Sequence, residues 1–558
     1  MRNGRIDAPR QAQHTPAAMS SLVFLRPLAA AAFFFFCVCV SARDAVTARE
    51  FIVSAAHPLA TQAGFDVLAR GGSAVDAAIA VQMVLGLVEP ESSGIGGGAF
   101  LMHWSQREQK LRSYDGRETA PMAARPDRFM RGGKPMEFYE AVVGGRSVGV
   151  PGVLRMLELA HRRHGRLPWA ELFQPAIAAA EQGFALSPRL YAVLQDEQFL
   201  RQEPGAREIY YGKAVGERVV NPQYAATLKA LASHGASAMY EGEIAADMVR
   251  AVRSHAKPGD LTSADVAAYR AVEREPVCAP YRVWRVCSMG PPSSGGVGVL
   301  QILGMLERTR FGAAPAQSAT ALHYFSEAGR LAYADRARYL GDPAFAPVPV
   351  ERLLSRGYLA KRAQLIGERS MRRAMPGDLE AGTSHFSIVE ANGDAVAMTT
   401  TIESGFGSRI MVRGFLLNNE LTDFDLTPGG PNQVGPGKRP RSSMAPTMVF
   451  DGAGRLELIV GSPGGSQIIN YVAKALVGVL DWKLDIQQAI DLPNFGSRNG
   501  PTQIERGSRY EALAPQLAER GHELRVMEME SGLHGIERVP GGWRGGADPR
   551  REGVALGR

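Results

Sequence analysis

Two runs, HFSIVE (385–390) and AVAMTTTIE (395–403), flank Asn392-Gly393-Asp394, and Asn-Gly between two such runs is the strongest short-range signal for a β-hairpin. In an antiparallel hairpin centred near position 392, facing residues have numbers that sum to about 784, so Thr383 faces Thr401 to within one residue. Facing side chains on one sheet face stand about 5 Å apart at Cβ. Because side chains alternate along a strand, Glu403 joins the same face if the second strand runs that far. Spacing alone therefore builds a cluster of Thr383, Thr401 and Glu403.

A threonine in a strand usually needs no explanation beyond its shape. What sets Thr383 apart is the run Ala381-Gly382-Thr383-Ser384, a small residue followed by Thr at a strand head. If the Gly382–Thr383 bond is cut, Thr383 carries a hydroxyl nucleophile and, on the same residue, a free amine to deprotonate it. Further on, the apolar strand Leu456 to Val460 runs into Gly461-Ser462-Pro463-Gly464-Gly465-Ser466 and then a helical pattern, QIINYVAKALVGVL. Glycines at a helix start let backbone N–H groups approach an anion or a developing oxyanion. The Lys-Ser/Thr ending of a P-loop is absent.

These residues resemble the gamma-glutamyltransferase (gamma-glutamyl transpeptidase) family of autoprocessing N-terminal-nucleophile hydrolases. The resemblance runs from about residue 51 to the C-terminus, through LARGGSAVDAAIAVQ (68–82), SSGIGGGAF (92–100), DGRETAP (115–121), PPSSGG (291–296), TSHFSIVE, LLNNELTDF (416–424), KRPRSSMAPT (438–447) and GSPGGS. It implies an α/β (α+β) fold, a four-layer αββα sandwich cut covalently into a large chain, 43–382, and a small chain, 383–558, that pair as one unit. The implied activity is cleavage of γ-glutamyl amides through a γ-glutamyl ester on Thr383, passed to water, an amino acid or a dipeptide. Thr401 would orient Thr383, and the N–H groups of Gly464 and Gly465 would form the oxyanion site. By the same resemblance Arg117, Ser442 and Ser443 would bind the α-carboxylate of the donor, and Glu403, Glu420 and Asp423 its α-ammonium. Such a zwitterion calls for opposite charges on opposite sides of the pocket. No cofactor or metal is implied.

Two departures from the family pattern bear on specificity. Glu403 stands where many members have Asn, and the segment 425–440 (DLTPGGPNQVGPGKRP) is short and has no aromatic residue to act as a lid. A more open site, with access for larger acceptors or polymeric donors, is expected. Two other readings remain: an acylase of the same fold acting on glutaryl or cephalosporin side chains, disfavoured by the acidic trio, and a noncatalytic protein retaining the fold. A serine hydrolase is disfavoured because no G-x-S-x-G occurs.

The chain of 558 residues has 45% hydrophobic and 21% charged residues, an ordinary globular composition. At the N-terminus, Arg26 precedes a thirteen-residue apolar stretch from Leu28 to Val40, and Val40-Ser41-Ala42 fits signal-peptidase cleavage after Ala42. The stretch falls short of the ~20 residues of a membrane span, so residues 1–42 read as a signal peptide, with translation starting at Met1 or Met19. Export to the periplasm or beyond is expected, an uncleaved membrane anchor less so. Export would leave Cys278 and Cys287 where a disulfide can form, yet a turn at Ala279-Pro280 and a strand from Arg282 to Met289 would not set them opposite each other.

A net charge of +7 raises the question of nucleic acid, but Lys and Arg are scattered and no binding motif occurs. His161-Arg162-Arg163-His164 reads as a solvated helix face, without a set of further ligands for a metal. Gly94 to Ala99 fits the dinucleotide pattern G-x-G-x-x-G/A in the wrong context, with a helix before it and a strand after it, so no dinucleotide partner is expected.

Overall fold

The computed structural model describes residues 43–371 and 382–558; the expected signal peptide and Ala381 lie outside the described residues. Two seven-stranded antiparallel sheets form the centre. The first runs, edge to edge, through Val554–Gly557, Ile52–Ala55, Gly382–Val389, Ala395–Glu403, Gly98–Ser105, Lys110–Asp115 and Val272–Arg274. The second runs through Val46–Ala48, Gly542–Ala547, His534–Val539, Leu456–Gly461, Thr447–Phe450, Trp284–Ser288 and Val277–Tyr281.

Strand alternation divides the core into layers. Val389, Ala395 and Ala397 of the first sheet pack with Met448, Phe450, Leu456 and Ile459 of the second, between the sheets. Their neighbours Ile388, Val396 and Met398 face the other way, onto helices Pro58–Ala69 and Ala74–Val88. Leu458 and Val460 likewise face helices Gly295–Leu306, Ala319–Tyr339 and Ile468–Leu480. A strand covered on both faces must be apolar on both, which is why these strands read as nearly continuous hydrophobic runs. The order helix, sheet, sheet, helix is the αββα sandwich that the resemblance implied.

The central hairpin forms in the expected register: Thr383 faces Thr401, and Val389 faces Ala395. Its loop, Ala391 to Gly393, closes through Gly393 N–H to the Glu390 carbonyl at 2.9 Å, with Gly393 at φ 88° in the left-handed region. A bulge shifts the register between Gly382 and Thr383, so that Gly382 faces Glu403.

Cys278 and Cys287 form a disulfide, which corrects the expectation from sequence. The strand runs through Ala279-Pro280 to Tyr281, and the turn falls at Arg282-Val283, with Arg282 at φ 55°. Shifting the turn by three residues puts Cys278 directly opposite Cys287. Proline is tolerated because this strand is at the sheet edge, where one side of the backbone needs no donor.

Candidate active site

Thr383 and Thr401 stand at the polar end of the space between the sheets, on the face shared by His385 and Ser387. Glycine at 461 lets the second sheet close in: a Cβ there would lie 2.3 Å from the His385 ring. That approach carries the loop Ser462 to Ser466 to the head of the hairpin. Gly464 (φ 124°) and Gly465 (φ 53°) both occupy left-handed conformations, and neither N–H donates to a backbone carbonyl among the described residues. Arg551 donates to the Thr383 carbonyl at 3.1 Å, and Ser384 donates to Glu89 at 2.6 Å on the other face, so the strand head is held from both sides.

A cavity of about 450 Å³ opens here, and nine of the ten proposed catalytic and binding residues line it: Thr383, Thr401, Gly465, Arg117, Glu403, Glu420, Asp423, Ser442 and Ser443. Gly464, the tenth, adjoins Gly465. Glu403 ends its strand at φ 79°, its N–H donating to Thr401 Oγ1 at 2.7 Å and its carboxylate accepting from Asn419 at 2.6 Å. Asn418 ties the same loop to the Gly96 and Gly149 carbonyls. The adjoining Gly97 is glycine because a Cβ would sit 2.0 Å from the Thr401 carbonyl oxygen. Ser442 and Ser443 are placed by the Pro291–Gly296 loop, whose Ser294 N–H donates to the Ser442 carbonyl at 2.8 Å.

Arg117 is fully buried and donates to Glu420, to Asp423 at 2.5 Å, and to the carbonyls of Pro440 and Arg441 at 3.1 Å each. The cation and the acids expected on opposite sides of the pocket are thus hydrogen-bonded to one another. Burial works to lower the Arg117 pKa, but Glu420, Asp423 and Glu118 together hold it above the ordinary value. Burial raises the Glu420 carboxyl to about 7, with Arg117 pulling it down and Asp423 pushing it up. Glu403 is raised well above the usual range, by burial and then by Asp423 and Glu420. Glu403, Glu420 and Asp423 thus gather around one guanidinium on the cavity wall.

Three further arginines line the cavity and were not singled out from sequence. Arg336 donates to Ser294 at 2.8 Å and to Ser443 at 2.9 Å, and burial, with Arg441 adding repulsion, lowers its pKa to about 9. Arg441 pairs with Asp425 at 3.0 Å. Arg498 donates to Ser466. Of the segment 425–440, only Asp425, Leu426 and Thr427 line the cavity; the rest turns back on itself, with Lys438 donating to the carbonyls of Pro431 and Gln433. In the basic run on helix Val153–His164, Arg162 and Arg163 pair with Glu158 and Glu273, while His164 stacks on His103 with ring centres 3.8 Å apart.

Two facing antiparallel sheets between helical layers, with a threonine at the head of a central strand, define the class of N-terminal-nucleophile hydrolases. Within it the chain belongs to the gamma-glutamyltranspeptidase family, whose family model matches residues 60–558. The chain is 35% identical over 541 residues to the glutathione hydrolase proenzyme of Bacillus subtilis (strain 168), covering 91% of this chain and 92% of that protein. It is also 35% identical over 510 residues to the acylase ACY 1 proenzyme of Pseudomonas sp. (strain SE83), covering 88% and 90%. Among solved structures, the cephalosporin acylase from Bacillus halodurans superposes with a TM-score of 0.84 at 29% identity, over 92% of this chain and 97% of that one. Among the described residues no helix is long and apolar enough to cross a membrane.

Proposed function

We propose that the protein is an exported γ-glutamyltransferase and glutathione hydrolase that matures by cutting its own Gly382–Thr383 bond. The observation that carries this reading is the convergence of Thr383, Thr401, Gly465 and the buried acid cluster on one cavity. In maturation, the Thr383 hydroxyl attacks the Gly382 carbonyl and the peptide C–N bond breaks, leaving an ester on Oγ and a free α-amine on Thr383. Water hydrolyses the ester, ending the large chain, 43–382, in a carboxylate and starting the small chain, 383–558.

In the mature enzyme the α-amine, with an unperturbed pKa near 8, takes the proton from Thr383 Oγ as the oxygen attacks the γ-carbonyl of the donor. The N–H groups of Gly464 and Gly465 stabilise the oxyanion, and loss of one such donor typically costs about 100- to 1,000-fold in turnover. Collapse expels the amine, which takes the proton from the Thr383 ammonium. Water or an acceptor amine then releases the acyl group. Thr401 orients the nucleophile.

The α-ammonium of the donor is met by Glu403, Glu420 and Asp423. Its α-carboxylate is met by Ser442 and Ser443, supported by Arg117 and by Arg336, which already reaches Ser443. Arginine suits both places because its planar fork pairs with carboxylates. An acylase for glutaryl side chains would have no ammonium to match the acid cluster, so γ-glutamyl anilides are expected to react much faster than glutaryl anilides. The deciding experiment is a denaturing gel of wild type beside Thr383→Ala, with γ-glutamyl-p-nitroanilide turnover measured on both. Wild type splits in two, while the variant stays whole and loses at least about 1,000-fold in rate; an uncut, active wild type refutes the mechanism.

A further inference from the structure

The cations of the cavity are not equally committed. Arg117 is bonded to two carboxylates and two carbonyls, and Arg441 is bonded to Asp425 and to the Leu340 carbonyl. Arg498 has a hydroxyl for its partner, Ser466 Oγ, and forms no ion pair with any described residue. The side chain is half-buried and comes from a loop that is itself fixed: Ser497 Oγ donates to the Gly500 carbonyl at 2.9 Å, and Arg330 of helix Ala319–Tyr339 donates to the same carbonyl. Ser466 is held in turn through its carbonyl, which accepts from Tyr333 on that helix. The guanidinium is therefore anchored one residue beyond Gly465, where the reacting carbonyl oxygen lies in the proposed mechanism.

A half-buried guanidinium on the wall of a cavity, without a carboxylate partner, is a ready receptor for one. The donor's α-carboxylate already has Ser442, Ser443 and Arg336. What Arg498 adjoins is the scissile carbonyl, so the group within its reach is the amine that leaves that carbonyl or attacks it.

Resting on the γ-glutamyltransferase reading, we propose that Arg498 binds a carboxylate carried by the leaving or incoming amine, so that the preferred acceptors are amino acids and short peptides with a free carboxylate. In transfer, the neutral acceptor nitrogen bonds to the acyl carbon, the bond from that carbon to Thr383 Oγ breaks, and the Thr383 α-amine relays the proton from nitrogen to Oγ. Arg498 touches neither bond. Its effect is to hold the acceptor nitrogen over the ester, and by microscopic reversibility it holds the amine portion of a donor in the same place.

The test compares wild type, Arg498→Gln and Arg498→Lys on two donors and two acceptors that differ in one carboxylate. The donors are γ-glutamyl-p-nitroanilide and γ-glutamyl-3-carboxy-4-nitroanilide; the acceptors are glycylglycine and glycylglycine amide. In Arg498→Gln the KM for each carboxylate-bearing partner rises about tenfold more than the KM for its neutral counterpart, the loss expected for one charge-assisted bond, and Arg498→Lys recovers part of the difference. If Arg498 only tethers Ser466 to shape the oxyanion loop, kcat falls alike for all four compounds, and that result overturns the proposal while the γ-glutamyltransferase reading stands. A wild type inert toward both γ-glutamyl anilides overturns both.

Discussion

Two of the buried clusters of ionisable side chains among the described residues differ in access, one open to a cavity and one closed. In the closed cluster, His323 Nε2 faces the Gly367 carbonyl at 2.8 Å, so that nitrogen must carry the proton. His323 Nδ1 then accepts from His522 Nε2 at 2.8 Å, and His522 Nδ1 accepts from Thr502 at 2.7 Å. Beside them Glu327 accepts from Arg330, Ser370 and the Met371 N–H. Their ligand atoms lie within 4.8 Å of one another, as in a metal site, yet each already has a protein partner. The chain of bonds leaves both imidazoles neutral and ties residues 367–371 to the core.

The open cluster is unbalanced. Arg117 faces Glu118, Glu420 and Asp423, with Glu403 nearby, and the buried Glu118 and Glu420 share a carboxyl–carboxyl hydrogen bond in which a proton of Glu118 is the donor. Carboxyls that outnumber the guanidinium bonded to them and border a cavity mark a candidate ligand site. The difference between the clusters therefore separates a structural network from a candidate binding site without reference to sequence motifs.

Removing the central cation should break the open cluster most severely. Arg117→Gln is expected to lose about 3–5 kcal/mol of stability, because the buried Glu420 and the half-buried Asp423 lose their counter-ion. A denaturant titration measures this, and adding Glu420→Gln should restore a good part of it. If Arg117→Gln alone leaves the midpoint unchanged, the cluster is not held together by charge. A smaller effect is expected in the closed cluster: His522→Ala orphans the Thr502 hydroxyl and His323 Nδ1 and should cost about 1–3 kcal/mol. Turnover of a γ-glutamyl anilide by the folded variant should stay within about twofold, since the network meets the cavity only indirectly, through Arg330 and the Gly500 carbonyl of the Arg498 loop, and His522→Ala leaves that bond in place; a large change in KM would erase the distinction between the clusters.

The subtlest difference is in pH dependence, where the two clusters have opposite signs. Glu420 is raised from 4.5 to about 7, first by burial, so the folded state binds the extra proton; its contribution to stability is full below 4.5 and is lost as pH rises through about 7. His522 is lowered from 6.5 to about 3, first by burial, so its contribution is present above 6.5 and is lost as pH falls toward 3. Melting temperatures of wild type, Glu420→Gln and His522→Ala across pH 4 to 8 resolve the two: Glu420→Gln flattens the neutral limb and His522→Ala the acid limb. The same limb flattened in both variants would mean that one assignment is wrong.

Much of the Thr383 end of the cavity was legible in the residues because it is built from local rules. A hairpin register follows from its turn, so Thr383 and Thr401 were paired by arithmetic alone. The glycines at 464 and 465 announced a turn that only left-handed residues can make. The disulfide was misjudged because a three-residue shift of one turn changes every partner along a short hairpin, and the Pro280 signal pointed to the wrong place.

The sequence by itself determined the fold class, the hairpin that sets Thr383 opposite Thr401 and the motifs that line the cavity, since strand periodicity, turn chemistry and resemblance act over short stretches of chain. Only the tertiary structure decided which charges meet. Arg117 reaches Glu420 across 303 positions, Arg336 reaches Ser443 across 107, and Arg498 is brought to Ser466 by a loop pinned from another helix. No local pattern encodes such pairings, because they depend on where packed layers bring separate loops together.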